Sequence, residues 1–123
     1  MLSRIPTAQF YGKCTVKGLE LRFAGKPREK SYLDVKPNPN SVVFGILWSI
    51  PNQEIATLDL EEDIYHHFHF TLNTGVKVFS YTMNDSVVVK HPELEYLNKV
   101  LDGYLEYELP TQDVMLAYYK SLV

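Results

Sequence analysis

The sequence predicts an α+β domain in which a largely antiparallel sheet is covered by segregated helices. Three observations carry that prediction. Apolar residues alternate through Lys13–Phe23, two β-rich runs flank Asn73-Thr74-Gly75, and apolar residues after Pro92 recur at three- and four-residue steps.

In chain order, Cys14 and Val16 and then, after Gly18, Leu19, Leu21 and Phe23 are the apolar members of a half-buried strand with a bend at Gly18. Ser31 to Val35 is a weaker second strand. The cluster Pro37-Asn38-Pro39-Asn40 reads as a turn. The continuously apolar run from Ser41 to Ile50 after it reads as a third strand, buried on both faces and central. Ser49, two residues before Pro51, opens a short helix that runs through Glu62. Tyr65–Leu72 and Val76–Met83 form a β-hairpin whose turn glycine, Gly75, supplies a positive φ. Leu94, Leu97, Leu101, Tyr104 and Leu105 mark an amphipathic helix ending near Leu109, and Pro110 opens a last helix marked by Val114, Ala117, Tyr118 and Leu122.

The chain has 123 residues, and 1–123 is expected to form one domain around one core. With 46% apolar and 22% charged residues, wholesale disorder is excluded. The formal charge of −3, from 12 basic and 15 acidic side chains, gives no net basic field for nucleic-acid binding. The longest apolar run, Val42 to Trp48, is far short of the roughly 20 residues of a membrane span. The N-terminus MLSRIPTAQF has no apolar signal region and the single Cys14 has no partner for an internal disulfide, so a reduced cytoplasmic setting is expected.

The sharpest chemical signal is Ile55-Ala-Thr-Leu-Asp-Leu-Glu-Glu-Asp63. On a helix, Ile55 and Leu58 define the apolar face, and Glu62 follows them at i+7 and i+4, so its carboxylate points where a core side chain would. Glu61, Glu62 and Asp63 crowd the helix C-terminus, where the macrodipole and like charges favour the protonated form, as a proton-shuttling residue requires. The same residues also fit a solvated helix end with Glu62 frayed outward. His67 and His69 share one strand face and would offer two metal nitrogens, but no second His or Cys cluster completes a site, so no metal is expected. Cys14 sits in an apolar alternation and reads as a small core residue. Lys26, Arg28 and Lys30 form a basic loop that is either solvated or steers an anion. Tyr65, just past Glu62, and Tyr81 on the hairpin partner are either substrate-facing hydroxyls or ordinary sheet aromatics.

Several stretches together resemble the gamma-glutamylcyclotransferase-like family: Phe10 to Phe23, Pro37 to Trp48, Ile55-Ala-Thr-Leu-Asp-Leu-Glu-Glu62, and Tyr96 to Gly103 with Leu109-Pro110. The resemblance implies a small mixed, largely antiparallel β-barrel with flanking helices. It places the catalytic acid on Glu62 and a substrate-lining segment at Ser31 to Asp34, so that Tyr32, Leu33 and Asp34 join Tyr65 and Tyr81 as expected substrate-binding residues. The implied reaction is cyclisation of a small gamma-glutamyl amine or amide to 5-oxoproline, with no metal or organic cofactor. The chain begins where that family's first strand and its Tyr-Gly-Ser type loop would have ended, and Asp63 stands where the family has Gly. These departures leave as alternative a catalytically inactive small-ligand-binding or interaction protein on the same fold. They also imply an open sheet edge on which a second copy of the chain would assemble. Neither nucleic acid nor membrane is expected as a partner.

Overall fold

The structure, a computed structural model, describes residues 8–51, 53–55, 65–83 and 86–123. Its dominant feature is a long antiparallel ribbon made by β1 (Gln9–Gly25) and β2 (Tyr32–Ser49). Gly18, at φ 87°, divides the ribbon. Before it Cys14 and Val16 face the interior side, and after it Leu19, Leu21 and Phe23 do, so one bulged residue switches the parity of the alternation. A left-handed φ costs glycine little, which is why the switch falls there.

Opposite Gly18 the pairing jumps from Lys17↔Val42 to Leu19↔Pro37, leaving 38–41 as a wide bulge. The Pro-Asn-Pro-Asn cluster is therefore not a turn between two strands. Asn38 Oδ1 accepts from the Asn40 amide at 3.0 Å and Asn38 Nδ2 donates to Glu20 Oε2 at 2.7 Å, so the bulge folds on itself while β2 continues on the same side of β1. The expected second and third strands are one strand.

The first sheet runs β2-β1-β5, with β5 a short strand (Val88–Val89) pairing with Ala24 and Gly25. Among the described residues β1, not the 41–50 run, is central. The hairpin of β3 (Tyr65–Thr71) and β4 (Lys77–Met83) forms a separate two-stranded sheet, as expected from its turn. Gly75 has φ 88° and its amide donates to the Leu72 carbonyl at 2.8 Å. Helix α1 (Leu94–Glu106) ends three residues before the expected Leu109, where Glu108 takes φ 56° and the Leu109 amide returns to the Tyr104 carbonyl at 2.8 Å. Helix α2 (Gln112–Ser121) follows Pro110 as expected. The core joins Leu19, Leu21 and Phe23 of β1, Val43 of β2, Leu97 of α1, and Val114 and Ala117 of α2.

The expected β-barrel is corrected by this topology: among the described residues neither sheet closes on itself. The physical reason lies along the outer edge of β2. There the Leu33 carbonyl accepts from the Tyr65 hydroxyl at 2.9 Å, the Val35 carbonyl accepts from Thr82 Oγ1 at 2.9 Å, and the Leu33 amide donates to the Tyr96 hydroxyl at 3.0 Å. Side chains satisfy backbone groups that a closing strand would otherwise pair. Among the described residues no helix is long and apolar enough to cross a membrane.

Candidate active site

The candidate site is built around residues 32–34 at the base of the ribbon. Leu33 stands opposite Phe23 in the β1–β2 register. Because antiparallel pairs alternate between bonded and non-bonded positions, its N–H and C=O project away from β1 and are taken by Tyr96 and Tyr65. Asp34 is buried, with a side chain fully shielded from solvent. Its Oδ2 accepts from Arg22 Nε at 2.7 Å and its Oδ1 from the Met83 amide at 2.8 Å. One carboxylate thus ties β1, β2 and β4 together. A charge removed from water needs such paired, hydrogen-bonded partners to be tolerated.

Tyr32 packs edge-on against Tyr96, with ring centroids 5.3 Å apart, and Tyr96 meets Phe23 edge-on at 6.4 Å. Tyr65 and Tyr81 lie edge-to-face at 6.2 Å, and Tyr81 continues into His67 at 5.2 Å. The structure therefore gathers Tyr32, Leu33, Asp34, Tyr65 and Tyr81 into one neighbourhood. Glu62 lies outside the described residues, as do residues 56–61 of its expected helix; residues 53–55 are helical as expected, but Ser49 is the last residue of β2 and does not open that helix.

Three contributors went unnoticed in the sequence reading of this site. Tyr96 fell within a helix periodicity carried by leucines, and its hydroxyl is visible only once Leu33 is placed beneath it. Arg22 and Thr82 are polar residues of strands whose partners are 12 and 47 positions away. No local pattern in the chain marks such pairs. The nearest available signal was Asp34 itself, an acidic residue between two apolar ones in a strand.

The other candidates fall elsewhere. Burial pushes the half-buried Cys14 thiol up from its ordinary value, against a smaller opposing effect of a hydrogen bond with the Gly45 backbone. His67 and His69 do share a face, with rings 5.8 Å apart, and His67 stacks on Phe79 at 4.5 Å. Among the described residues no group of three or more His, Cys, Asp or Glu is placed to hold a metal ion. The basic loop is exposed from Lys26 to Lys30. Its backbone wraps the ammonium of Lys90, which donates to the carbonyls of Lys26, Pro27 and Glu29. Gly25 lets that loop close, since a Cβ there would lie 2.2 Å from the Lys30 carbonyl oxygen.

No family model matches the chain, and no curated protein matches it. Solved structures do. The uncharacterized protein loc79017 from Homo sapiens superposes with a TM-score of 0.76 at 18% identity, over 94% of this chain and 76% of that one. A gamma-glutamyl cyclotransferase superposes with a TM-score of 0.75, also at 18% identity and over the same shares of the two chains. At this identity the likeness is one of architecture, and the chain carries a fold similar to that of gamma-glutamyl cyclotransferase.

Proposed function

We propose that this protein is a gamma-glutamylcyclotransferase-like enzyme that releases 5-oxoproline from a small gamma-glutamyl amine or amide. The observation that carries the reading is the superposition on a gamma-glutamyl cyclotransferase over 94% of the chain. It is supported by the gathering of Tyr32, Leu33, Asp34, Tyr65 and Tyr81, of which Tyr65 follows Glu62 by three positions in the sequence.

In the proposed reaction Glu62 removes a proton from the α-ammonium of the glutamyl group. The freed amine attacks the γ-carbonyl carbon of the same molecule, forming the ring C–N bond. The ring nitrogen of the tetrahedral intermediate loses its second proton, the bond to the leaving nitrogen breaks as Glu62 returns its own proton to that nitrogen, and the released amine takes up the other to depart as an ammonium ion, so Glu62 ends as it began. The reaction is acid–base and positional, and calls on no metal or organic cofactor. The frame around Leu33 contributes by holding residues 32–34 at a fixed place, so that the substrate is presented already folded toward ring closure. Asp34 and the Tyr65 hydroxyl act through this frame, because their hydrogen bonds to Arg22, the Met83 amide and the Leu33 carbonyl are internal.

Those internal bonds also favour the second reading, a small-ligand-binding protein without turnover. A panel of gamma-glutamyl amines and gamma-glutamyl amino acids, assayed for 5-oxoproline, separates the two. The enzyme reading expects turnover of at least one member; thermal stabilisation by a panel member without 5-oxoproline would establish the binding reading instead.

A further inference from the structure

A recess of about 230 Å³ lies between the β2 bulge and α2. Its floor is apolar, with Leu21 and Ala117 buried, and its sides include the exposed side chains of Val42 and Leu116. Two of its charges cancel each other. Lys120 Nζ donates to Glu20 Oε1 at 3.1 Å, and Glu20 Oε2 is held by Asn38 at 2.7 Å, so the ammonium is committed to the Glu20 side.

Asp113, half-buried in the first turn of α2, also lines the recess. Its carboxylate has no hydrogen bond or ion pair among the described residues. The helix end behind it supplies only about half a positive charge, which leaves a residual negative potential facing the recess. Ser41 adds a hydroxyl to the lining from the β2 side. A hard metal ion is a poor match, because such ions take six or more oxygens and the recess offers one unengaged carboxylate. An organic cation matches the polar and the apolar part of this lining, its charge against Asp113 and Ser41 and its hydrocarbon between Val42 and Leu116. We propose that this recess is a binding site for a small primary alkylammonium ion. The site shares no residue with the cluster around Leu33, and the proposal stands independently of the cyclotransferase reading.

The test is a proton–nitrogen NMR titration of the full chain with n-butylammonium chloride, against sodium chloride at equal ionic strength. The expected result is saturable shifts confined to the amides of 40–42 and 113–117, half-complete at about 1–10 mM, as suits a ligand of this size. Neutral n-butanol should bind at least ten-fold more weakly, roughly the loss expected when the charge is removed. Asp113→Asn should weaken n-butylammonium binding by a similar factor. Leu116→Trp, which fills the recess without altering its charge, should abolish it and carries the test if Asp113→Asn fails to fold. Shifts that scatter over the surface, rise linearly without saturation, or persist unchanged in the folded variants would overturn the proposal.

Discussion

The two halves of the β1–β2 ribbon share strands, pairing and alternation, yet they are held by different forces. In the basal half, after Gly18, Leu19, Leu21, Phe23 and Ala24 are buried in the core, and the outer edge is fastened by the Asp34, Tyr65, Thr82 and Tyr96 side chains. In the distal half, before Gly18, exposure alternates with partial burial. That half reaches the core through Val43, with Val16 packed against it, and is otherwise secured by its ladder, by Tyr104 donating to the Phe44 carbonyl at 3.2 Å, and by a cluster of Phe10, Trp48 and Tyr107. The lesson is that a strand pattern fixes which face turns inward, whereas stability comes from what the rest of the chain brings to that face. The candidate site sits in the half where most is brought.

The largest effect should come from the basal frame. Asp34→Ala leaves Arg22 and the Met83 amide without their partner, and a loss of about 3–5 kcal/mol is expected in chemical denaturation. A loss below 1 kcal/mol would put the two halves on an equal footing and break the contrast.

The distal half has its own signature, which is alkaline. Burial, and then the charge of Asp113, push the Tyr104 hydroxyl up from 10.0 to about 12. Because the folded chain holds that proton more tightly than the unfolded chain, the associated stability is fully present below pH 10 and is lost as pH rises toward 12. The two-unit shift corresponds to a loss of about 2–3 kcal/mol. Tyr104→Phe should remove this slope from the pH–stability curve, and an unaltered slope would show that another group carries it.

Much of this architecture was legible because it depends on short-range rules. The parity switch at Gly18 shows in the spacing of Val16 and Leu19, and the hairpin turn shows in Asn73-Thr74-Gly75. Pro92 and Pro110 announce the two helices that follow them. The rest depends on contacts between distant residues. Pro37 to Asn40 has the composition of a turn, yet β2 runs on past it, because whether a chain reverses there is decided by pairing with β1. Closure of the sheet was not legible either, since it turned on whether the Leu33 and Val35 backbone groups met a strand or the side chains of Tyr65, Tyr96 and Thr82. Within the site, Tyr32, Leu33 and Asp34 came from the family resemblance alone.

Smaller effects sharpen the contrast. Tyr96→Phe deletes one hydroxyl from the Leu33 amide and should cost about 1 kcal/mol by denaturation, with faster hydrogen exchange at Leu33 as the local readout. Phe10→Ala removes a ring that stacks on Tyr107 at 5.6 Å but is 52% exposed, so a loss of less than about 1 kcal/mol is expected. A larger loss for Phe10→Ala than for Tyr96→Phe would reverse the ranking of the two halves.

The most direct test of the whole account is the initial rate of 5-oxoproline formation by the wild-type chain and by Glu62→Gln, measured side by side on protein of equal melting temperature. The account predicts that the substitution lowers the rate by about 10²-fold or more, the scale of a lost general acid–base group. Equal rates for the two proteins would contradict it.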